Sequence, residues 1–185
     1  KLIIDPNNNN VFYATTQGAT EYTDKVGDGA GVFKSTDRGN SWTQINNGLD
    51  SLETNILTVD PNDSETLYLG TDDDGVYKST DGGESWKKLT VSSLSKSFGV
   101  GDIIVDPQNS NNIYIGTVDY FRLSESRGVL GDFGVYKSTD GGATWEEFNV
   151  GLNHLGVFSL ELSEENRILY AGTRAGGVYW ISLDN

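Results

Sequence analysis

Residues 75–86 read GVYKSTDGGESW, and this stretch decides the fold because the chain repeats it with small changes. The other copies are GVFKSTDRGNSW at 31–42 and GVYKSTDGGATW at 134–145. All three share the pattern Ser-x-Asp-x-Gly-x-[Ser/Thr]-Trp. Asp and Ser side chains can hydrogen-bond the backbone amides of a turn, Gly can take a positive φ, and Trp supplies a large ring to bury. The pattern therefore predicts a β-hairpin whose turn is stabilised by its own side chains.

The repeated pattern resembles the Asp-box, or BNR, repeat of sialidases, sortilin-type receptors, family 74 xyloglucanases and many secreted propellers. In those families the box is a structural turn at the periphery of a propeller blade, away from the active face. The resemblance therefore implies a structural role for the box residues and no catalytic one. These residues are Ser35, Asp37, Gly39, Trp42, Ser79, Asp81, Gly83, Trp86, Ser138, Asp140, Gly142 and Trp145.

Each box lies inside a longer repeat with a constant order of four short apolar strands. Repeats of about 40 to 50 residues that contain four short strands are typical of propeller blades. We predict an all-β β-propeller segment built of four Asp-box blades in a single domain. The predicted blades are blade 1 at 1–50, blade 2 at 51–98, blade 3 at 99–152 and blade 4 at 153–185, the last without an outer strand.

The incomplete fourth blade allows two interpretations. The chain could be a small closed ring of four blades, or it could be the last four blades of a larger propeller. We favour the larger propeller, because residues 1–4 already align with an inner strand and the chain offers no spare strand to complete blade 4. The exposed strand at 177–182, with Trp180 where other repeats have Lys, then predicts pairing with the remainder of the propeller or self-association.

Composition limits the classes of partner. The 185 residues carry a formal net charge of −14, which disfavours nucleic acid and anionic lipid surfaces. No apolar run is long enough to span a membrane. Cys is absent, so no disulfide framework is available, and the chain does not begin with Met. These features suit a mature secreted protein or an excised fragment equally, and we expect an extracellular or secreted location.

Two long links between the second and third strands, at 16–30 and 118–133, interrupt otherwise short connections. Long loops on a rigid scaffold concentrate binding residues. Aromatic rings beside carboxylates suit a carbohydrate or protein ligand, although the same rings could instead pin their own loops. Phe98 and His154 lie on neighbouring loops of the same face. The candidate ligand-binding residues are Tyr22, Tyr120, Phe121 and Phe133.

Catalytic candidates are few. Hydrolysis of a glycosidic bond needs two carboxyl groups about 5 Å or about 6.5–9.5 Å apart. On the face that carries the long loops, Asp102 and Asp132 are weak candidates, with Asp119 and Glu125 nearby, but no motif fixes their spacing. His154 is the only histidine, which excludes a His-based triad or a multi-histidine metal site.

Metal and cofactor binding have no supporting motif. The acidic turns at 72–74 and at Asp28 do not follow the spacing of a calcium loop, although calcium remains an open alternative. We expect no cofactor.

The sequence by itself favours a non-enzymatic extracellular binding or scaffold propeller, because folding explains every strongly patterned residue. The alternative is a fragment of a secreted glycoside hydrolase that resembles family 74 xyloglucanases.

Overall fold

A computed structural model describes residues 1–17, 29–92, 94, 98–119 and 133–183. The described residues form fifteen β-strands in four antiparallel sheets, which confirms the all-β propeller prediction. In this part of the chain there is no helix with the length and apolar character required to cross a membrane. Of the residues singled out from the sequence, Tyr22, Asp28, Tyr120, Phe121, Glu125 and Asp132 lie outside the described ranges.

Each sheet is a meander in which consecutive strands pair, from the inner strand to the outer one. Sheet 1 contains β1 (Leu2–Asp5), β2 (Asn8–Thr16), β3 (Gly31–Ser35) and β4 (Thr43–Gln44). Sheet 2 contains β5 (Thr54–Asp60), β6 (Asp63–Thr71), β7 (Val76–Ser79) and β8 (Lys87–Lys88). Sheet 3 contains β9 (Gly99–Val105), β10 (Ile113–Val118), β11 (Val135–Ser138) and β12 (Glu146–Glu147). Sheet 4 contains β13 (Val157–Ser163), β14 (Ile168–Thr173) and β15 (Gly177–Ser182), and no fourth strand is described for it.

The Asp-box turn links the third and fourth strands of sheets 1, 2 and 3, and it closes on its own side chains. In sheet 2, Ser79 Oγ donates to Asp81 Oδ1 at 2.6 Å, and the same Asp81 oxygen accepts the amide of Ser85 at 2.9 Å. Gly83 takes φ 92°, and a Cβ there would lie 2.5 Å from the side chain of Ile45. A side chain at this position would therefore be both strained and obstructed. The outer strand β8 begins one residue after Trp86, later than the sequence suggested.

Three hydrophobic cores lie between successive sheets. The first joins Tyr13 and Val32 of sheet 1 to Leu67 and Trp86 of sheet 2, and equivalent clusters join sheet 2 to sheet 3 and sheet 3 to sheet 4. Within the described residues no such cluster joins sheet 4 back to sheet 1. The four sheets therefore form an open arc, and the closed four-blade ring is not what the structure shows.

Polar contacts reinforce each joint, by which we mean the contact between two successive sheets. On one side of the joint, the aspartate that ends the first strand accepts a hydrogen bond from the next sheet. Ser64 Oγ donates to Asp5 at 2.8 Å, and Ser110 Oγ donates to Asp60 at 2.7 Å. At the outer end, a lysine of the third strand donates to the box of the next sheet. Lys34 and Lys78, which occupy the same position in their third strands, both have this half-buried joint role.

Candidate functional site

Irregular pairing occurs at the same place in the inner strands of sheets 2, 3 and 4. The pairing register shifts around Asn55 in β5, around Gly101 in β9 and around Phe158 in β13. Such β-bulges re-aim side chains and occur at the rims of barrels and beside active sites. Gly101 is required by packing, because a Cβ there would lie 2.2 Å from the carbonyl oxygen of Val157. The bulges therefore occupy equivalent positions on the inner strands of three successive sheets.

The bulge residues line a cavity of about 350 Å³, which we call the axial pocket. It lies on the face that carries the long loops, and a channel of about 530 Å³ runs beside it along the inner strands. Asp102 lines both cavities. Amide, hydroxyl, carboxylate and aromatic groups therefore meet in one concave site. The lining residues are Lys1, Gln17, Thr54, Asn55, Ile56, Gly101, Asp102, Phe158 and Ser159.

The amide of Gln17, which lines the axial pocket, is bonded to the buried carboxylate of Asp72. Gln17 Nε2 donates to both carboxylate oxygens of Asp72, at 3.0 and 3.1 Å. Burial raises the pKa of Asp72 above its usual range, and the hydrogen bonds from Gln17 only partly oppose this. Gln17 also approaches Asn55 Oδ1 at 3.4 Å. The contacts with Asp72 and Asn55 hold the Gln17 side chain in place at the edge of the pocket.

Asp102 lies where the inner strands of sheets 3 and 4 meet. Its Oδ1 accepts the amide of Ile103 at 2.9 Å, and its Oδ2 accepts the amide of Leu160 at 2.9 Å. Burial raises the pKa of Asp102, against the opposing effect of these amides and of Lys1. A raised carboxyl pKa suits a general acid. Both oxygens are nevertheless occupied by backbone amides, one in the same strand and one in sheet 4, and a catalytic role for Asp102 stays a prediction.

Phe158 is an aromatic platform that the sequence did not identify. The residue is 40% exposed, and the guanidinium carbon of Arg174 lies 5.2 Å from the ring centroid. Arg174 also donates to the carbonyl oxygen of Asp119 in the next loop. The chain places Phe158 where repeats 2 and 3 have Asn55 and Gly101. Because the equivalent residues in repeats 2 and 3 are not large apolar ones, the sequence could have indicated that Phe158 lies outside the core.

Phe133 is the only one of the four aromatic candidates within the described residues. It is half-buried against the core between sheets 2 and 3. Its amide donates to Thr117 Oγ1 at 3.0 Å, and its carbonyl accepts Asn149 Nδ2 at 3.0 Å. These contacts fit the alternative in which an aromatic residue pins its own loop. Ligand binding by Phe133 stays a prediction.

The acidic turn at 72–74 directs its carboxylates to separate partners. Asp72 contacts Gln17, Asp73 accepts Ser51 Oγ at 3.4 Å, and Asp74 pairs with Tyr77 and Lys88. In the described ranges, no group of three or more His, Asp or Glu residues could hold a metal ion.

Comparison with known proteins relates the chain to glycoside hydrolases. Over 96 residues it is 36% identical to the xyloglucanase Xgh74A of Acetivibrio thermocellus, a match that covers 47% of this chain and 11% of the relative. An ancestral GH74 enzyme superposes with a TM-score of 0.76 at 26% identity, over 97% of this chain and 22% of that one. The GH74 enzyme of Niastella koreensis gives 0.72 at 27% identity, over 99% of this chain and 28% of its own. The chain thus spans about a tenth to a quarter of the length of these relatives.

These relatives correct one expectation from the sequence. A protein without enzymatic function was favoured there, and that inference was wrong, because the similar proteins are a xyloglucanase and two GH74 enzymes. The resemblance to Asp-box propellers is confirmed. Residues 30–179 match the family model named Sortilin-Vps10 (sortilin, neurotensin receptor 3). The chain therefore belongs to the Sortilin-Vps10 family.

Proposed function

We propose that this chain is a propeller portion of an extracellular glycoside hydrolase that acts on a β-glucan of the xyloglucan type. The observation that carries the proposal is the 36% identity to a xyloglucanase over 96 residues. The superposition of nearly the whole chain on two GH74 enzymes supports it. An extracellular location follows from the proposed substrate, which is a polymer too large to enter a cell intact.

The axial pocket has the chemistry that such a substrate requires. A sugar ring presents apolar C–H groups on its faces and hydroxyl groups around its edge. The exposed ring of Phe158 offers a flat surface for the former, and Asn55 and Gln17 offer amides for the latter. We assign Phe158 the role of stacking platform. The bulges that turn Asn55 and Phe158 away from regular alternation make this site possible.

Asp102 and Asp132 are the two candidate carboxylates for hydrolysis. Asp102 is the less suitable of the two, because it already accepts two backbone amides. In a retaining or inverting mechanism, one carboxyl protonates the leaving oxygen and the second acts as nucleophile or as base toward water. We propose Asp132 for one of these roles.

The test measures release of reducing ends from xyloglucan by the longest protein that contains this chain, beside Asp132→Asn and Asp102→Asn variants. We expect Asp132→Asn to lower kcat at least about 10²-fold, as the loss of a general acid or base does. Asp102→Asn retains one acceptor oxygen and should lower thermal stability more than kcat. A protein that neither binds nor cleaves xyloglucan or other β-glucans would contradict the proposal.

Binding is measured separately by calorimetry with xyloglucan oligosaccharides. We expect Phe158→Ala to weaken binding roughly two- to tenfold, since an aromatic contact is worth roughly 0.5–1.5 kcal/mol. Val150→Ala is the matched control, because Val150 is exposed and does not line the axial pocket. Equal affinities for the two variants would remove Phe158 from the site.

A further inference from the structure

Gln17 and Asp72 occupy the same position in two successive sheets. Each follows the threonine that holds the link between the second and third strands, Thr16 in sheet 1 and Thr71 in sheet 2. The equivalent residue of sheet 3 is Val118, which is buried. The fold therefore accepts an apolar side chain at this position and does not require a polar pair.

The buried carboxylate of Asp72 has one partner. Asp72 is 5% exposed, and in the described part of the chain Gln17 Nε2 is the only group hydrogen-bonded to its two oxygens. Burying a carboxylate is costly unless its charge is compensated, and one neutral amide compensates it only in part. Stability alone therefore does not explain the pair, and its effect on the Gln17 side chain does.

The surrounding hydrogen bonds fix which end of the Gln17 amide faces the protein. Nε2 lies 3.0 and 3.1 Å from the two Asp72 oxygens, a symmetric contact in which an ionised carboxylate accepts on both. A third acceptor is Asn55 Oδ1 at 3.4 Å, and Asn55 Nδ2 is itself held by the carbonyl oxygen of Val100 at 2.8 Å. A flipped Gln17 amide would place Oε1 against the same acceptor oxygens. Nε2 therefore faces the protein.

The amide oxygen of Gln17 is left for a ligand. Gln17 is exposed and lines the axial pocket, whereas Asp72 does not line it. Among the residues that the structure describes, none donates a hydrogen bond to Gln17 Oε1. An amide oxygen only accepts hydrogen bonds, so the group that it can bind is a donor such as a hydroxyl.

We infer that Asp72 is a positioning residue that holds the Gln17 amide with Oε1 available to the axial pocket, so that the pocket selects a sugar with an unsubstituted hydroxyl group at this point. The inference rests on the proposed function, because it names the sugar group that the pocket recognises. A hydroxyl group donates to Oε1. A fluorine or an ether oxygen in its place can only accept, and Oε1 offers it no donor.

The first test needs no ligand and uses the longest protein that contains this chain. Gln17→Glu brings two carboxylates together and should lower the melting temperature at neutral pH. Addition of Asp72→Asn recreates a carboxylate–amide pair with the two roles exchanged, so the double variant should recover most of this loss. Addition of Asp73→Asn instead is the matched control, because Asp73 bonds Ser51 and its replacement should not restore stability.

The second test measures selectivity by calorimetry with cellotetraose and with analogues in which one hydroxyl group at a time is replaced by fluorine. We expect one replacement to weaken binding about three- to tenfold, as loss of a neutral hydrogen bond does, and Gln17→Ala to abolish this ratio. Asp72→Asn frees the amide to turn, so the ratio should fall below about twofold. Asp73→Asn should preserve the ratio. The double variant Gln17→Glu with Asp72→Asn should restore it.

The two tests separate this inference from the proposed function. A protein that binds cellotetraose with a selectivity that Asp72→Asn leaves intact would overturn the inference and leave the proposed function standing. A Gln17→Glu protein as stable as the unchanged one, or a double variant no more stable than Gln17→Glu, would also overturn it. If no glucan binds, the proposed function and the hydroxyl selectivity fail together, whereas the melting temperatures still decide whether Asp72 orients Gln17.

Discussion

The carboxylate of Asp81 illustrates how a solvent-facing residue contributes to the fold. It accepts hydrogen bonds from Ser79 Oγ, from the amide of Ser85 and from Ser85 Oγ, the last at 2.5 Å. These bonds favour the charged form and lower the pKa of Asp81 to about 2. Asp37 and Asp140 make the same set of contacts and share that value. Three ionised carboxylates therefore each close a turn.

Acid should weaken these turns. A carboxyl group whose pKa is lower in the folded state than in the unfolded state stabilises the fold above its ordinary pKa of 3.8, and this contribution disappears as the pH falls toward about 2. We expect the melting temperature to drop between about pH 4 and about pH 2. Replacing the three aspartates by Asn should lower it at neutral pH and flatten its dependence in the acid range.

Calorimetry on both proteins from pH 7 to pH 2 provides the measurement. Parallel profiles would show that the boxes do not cause the acid sensitivity. The raised pKa values of Asp72 and Asp102 act in the opposite direction, because protonation removes the cost of burying their charge. Comparison with the Asn variant isolates the box contribution from theirs.

The box tryptophan should matter far more than its exposed neighbour. Trp86 is buried and packs against sheet 1, so Trp86→Ala should cost about 3–5 kcal/mol. Glu84 lies two residues earlier, is exposed and uses only its backbone in the turn, so Glu84→Ala should cost less than about 0.5 kcal/mol. Urea unfolding compares the two. Similar losses would mean that the turn is not stabilised by the buried ring.

Among the connections between strands, the link from the second to the third strand is held in each sheet by the side chain of a threonine. In sheet 3, Thr117 Oγ1 donates to the carbonyl of Gly134 and accepts the amide of Phe133, both at 3.0 Å. Equivalent threonines, Thr16, Thr71 and Thr173, close the other three links. Sheets 1 and 3, which carry the long links, add an asparagine, Asn46 and Asn149 respectively, that bonds the backbone on either side of the glycine that follows the link. One threonine therefore suffices for a short turn, and a long loop receives a second anchor.

The asparagine anchor in sheet 3 gives a stability prediction. Asn149 Oδ1 accepts the amide of Val135 at 2.7 Å, and its Nδ2 donates to the carbonyl of Phe133 at 3.0 Å. Asn149→Ala leaves both backbone groups without this partner and should cost about 1–3 kcal/mol. Val150→Ala, at an exposed neighbour, is the control and should cost less than about 0.5 kcal/mol. Equal unfolding midpoints for the two variants would argue against an anchor.

The hairpins were predictable from sequence because the box residues bond to one another within a few positions, as Ser79 and Asp81 do. The axial pocket was not predictable, because it depends on register shifts at Asn55 and Phe158 that break the alternation assumed for a strand. The joint role of Lys78 was missed for a related reason. Its partner, Gly141, lies 63 residues away, and a local pattern carries no information about such a contact.

For the molecule as a whole, the joints make the arc a chain of nearest-neighbour contacts. Each of the three cores is shared by only two sheets, which is the situation of repeat proteins whose stability is a sum of unit and interface contributions. The joints are not equivalent, however. In two of them the aspartate at the end of the first strand accepts a hydrogen bond from a serine hydroxyl. In the joint between sheets 3 and 4 the equivalent aspartate accepts hydrogen bonds from an arginine. The last sheet is therefore attached by a charged contact.

This difference predicts how sheet 4 detaches. Arg167 donates to both oxygens of Asp106 at 3.0 and 2.6 Å, and the Asp106 side chain is fully buried. Burial alone would raise the pKa of Asp106, but the hydrogen bonds from Arg167 lower it, so the pair is charged at neutral pH. Arg167→Ala would leave a buried carboxylate uncompensated and should cost about 3–5 kcal/mol. Ser110→Ala removes the equivalent neutral contact at Asp60 and should cost about 1 kcal/mol.

Hydrogen exchange locates the effect of Arg167→Ala within the arc. Because sheet 4 packs mainly on sheet 3, the amides of β13, β14 and β15 should lose protection together, while those of β5 to β7 keep theirs. In the Ser110→Ala protein the protection of sheet 4 should be unchanged, since the altered joint lies between sheets 2 and 3. A uniform loss of protection across all four sheets in the Arg167→Ala protein would show that the arc unfolds as one cooperative unit, against the nearest-neighbour description.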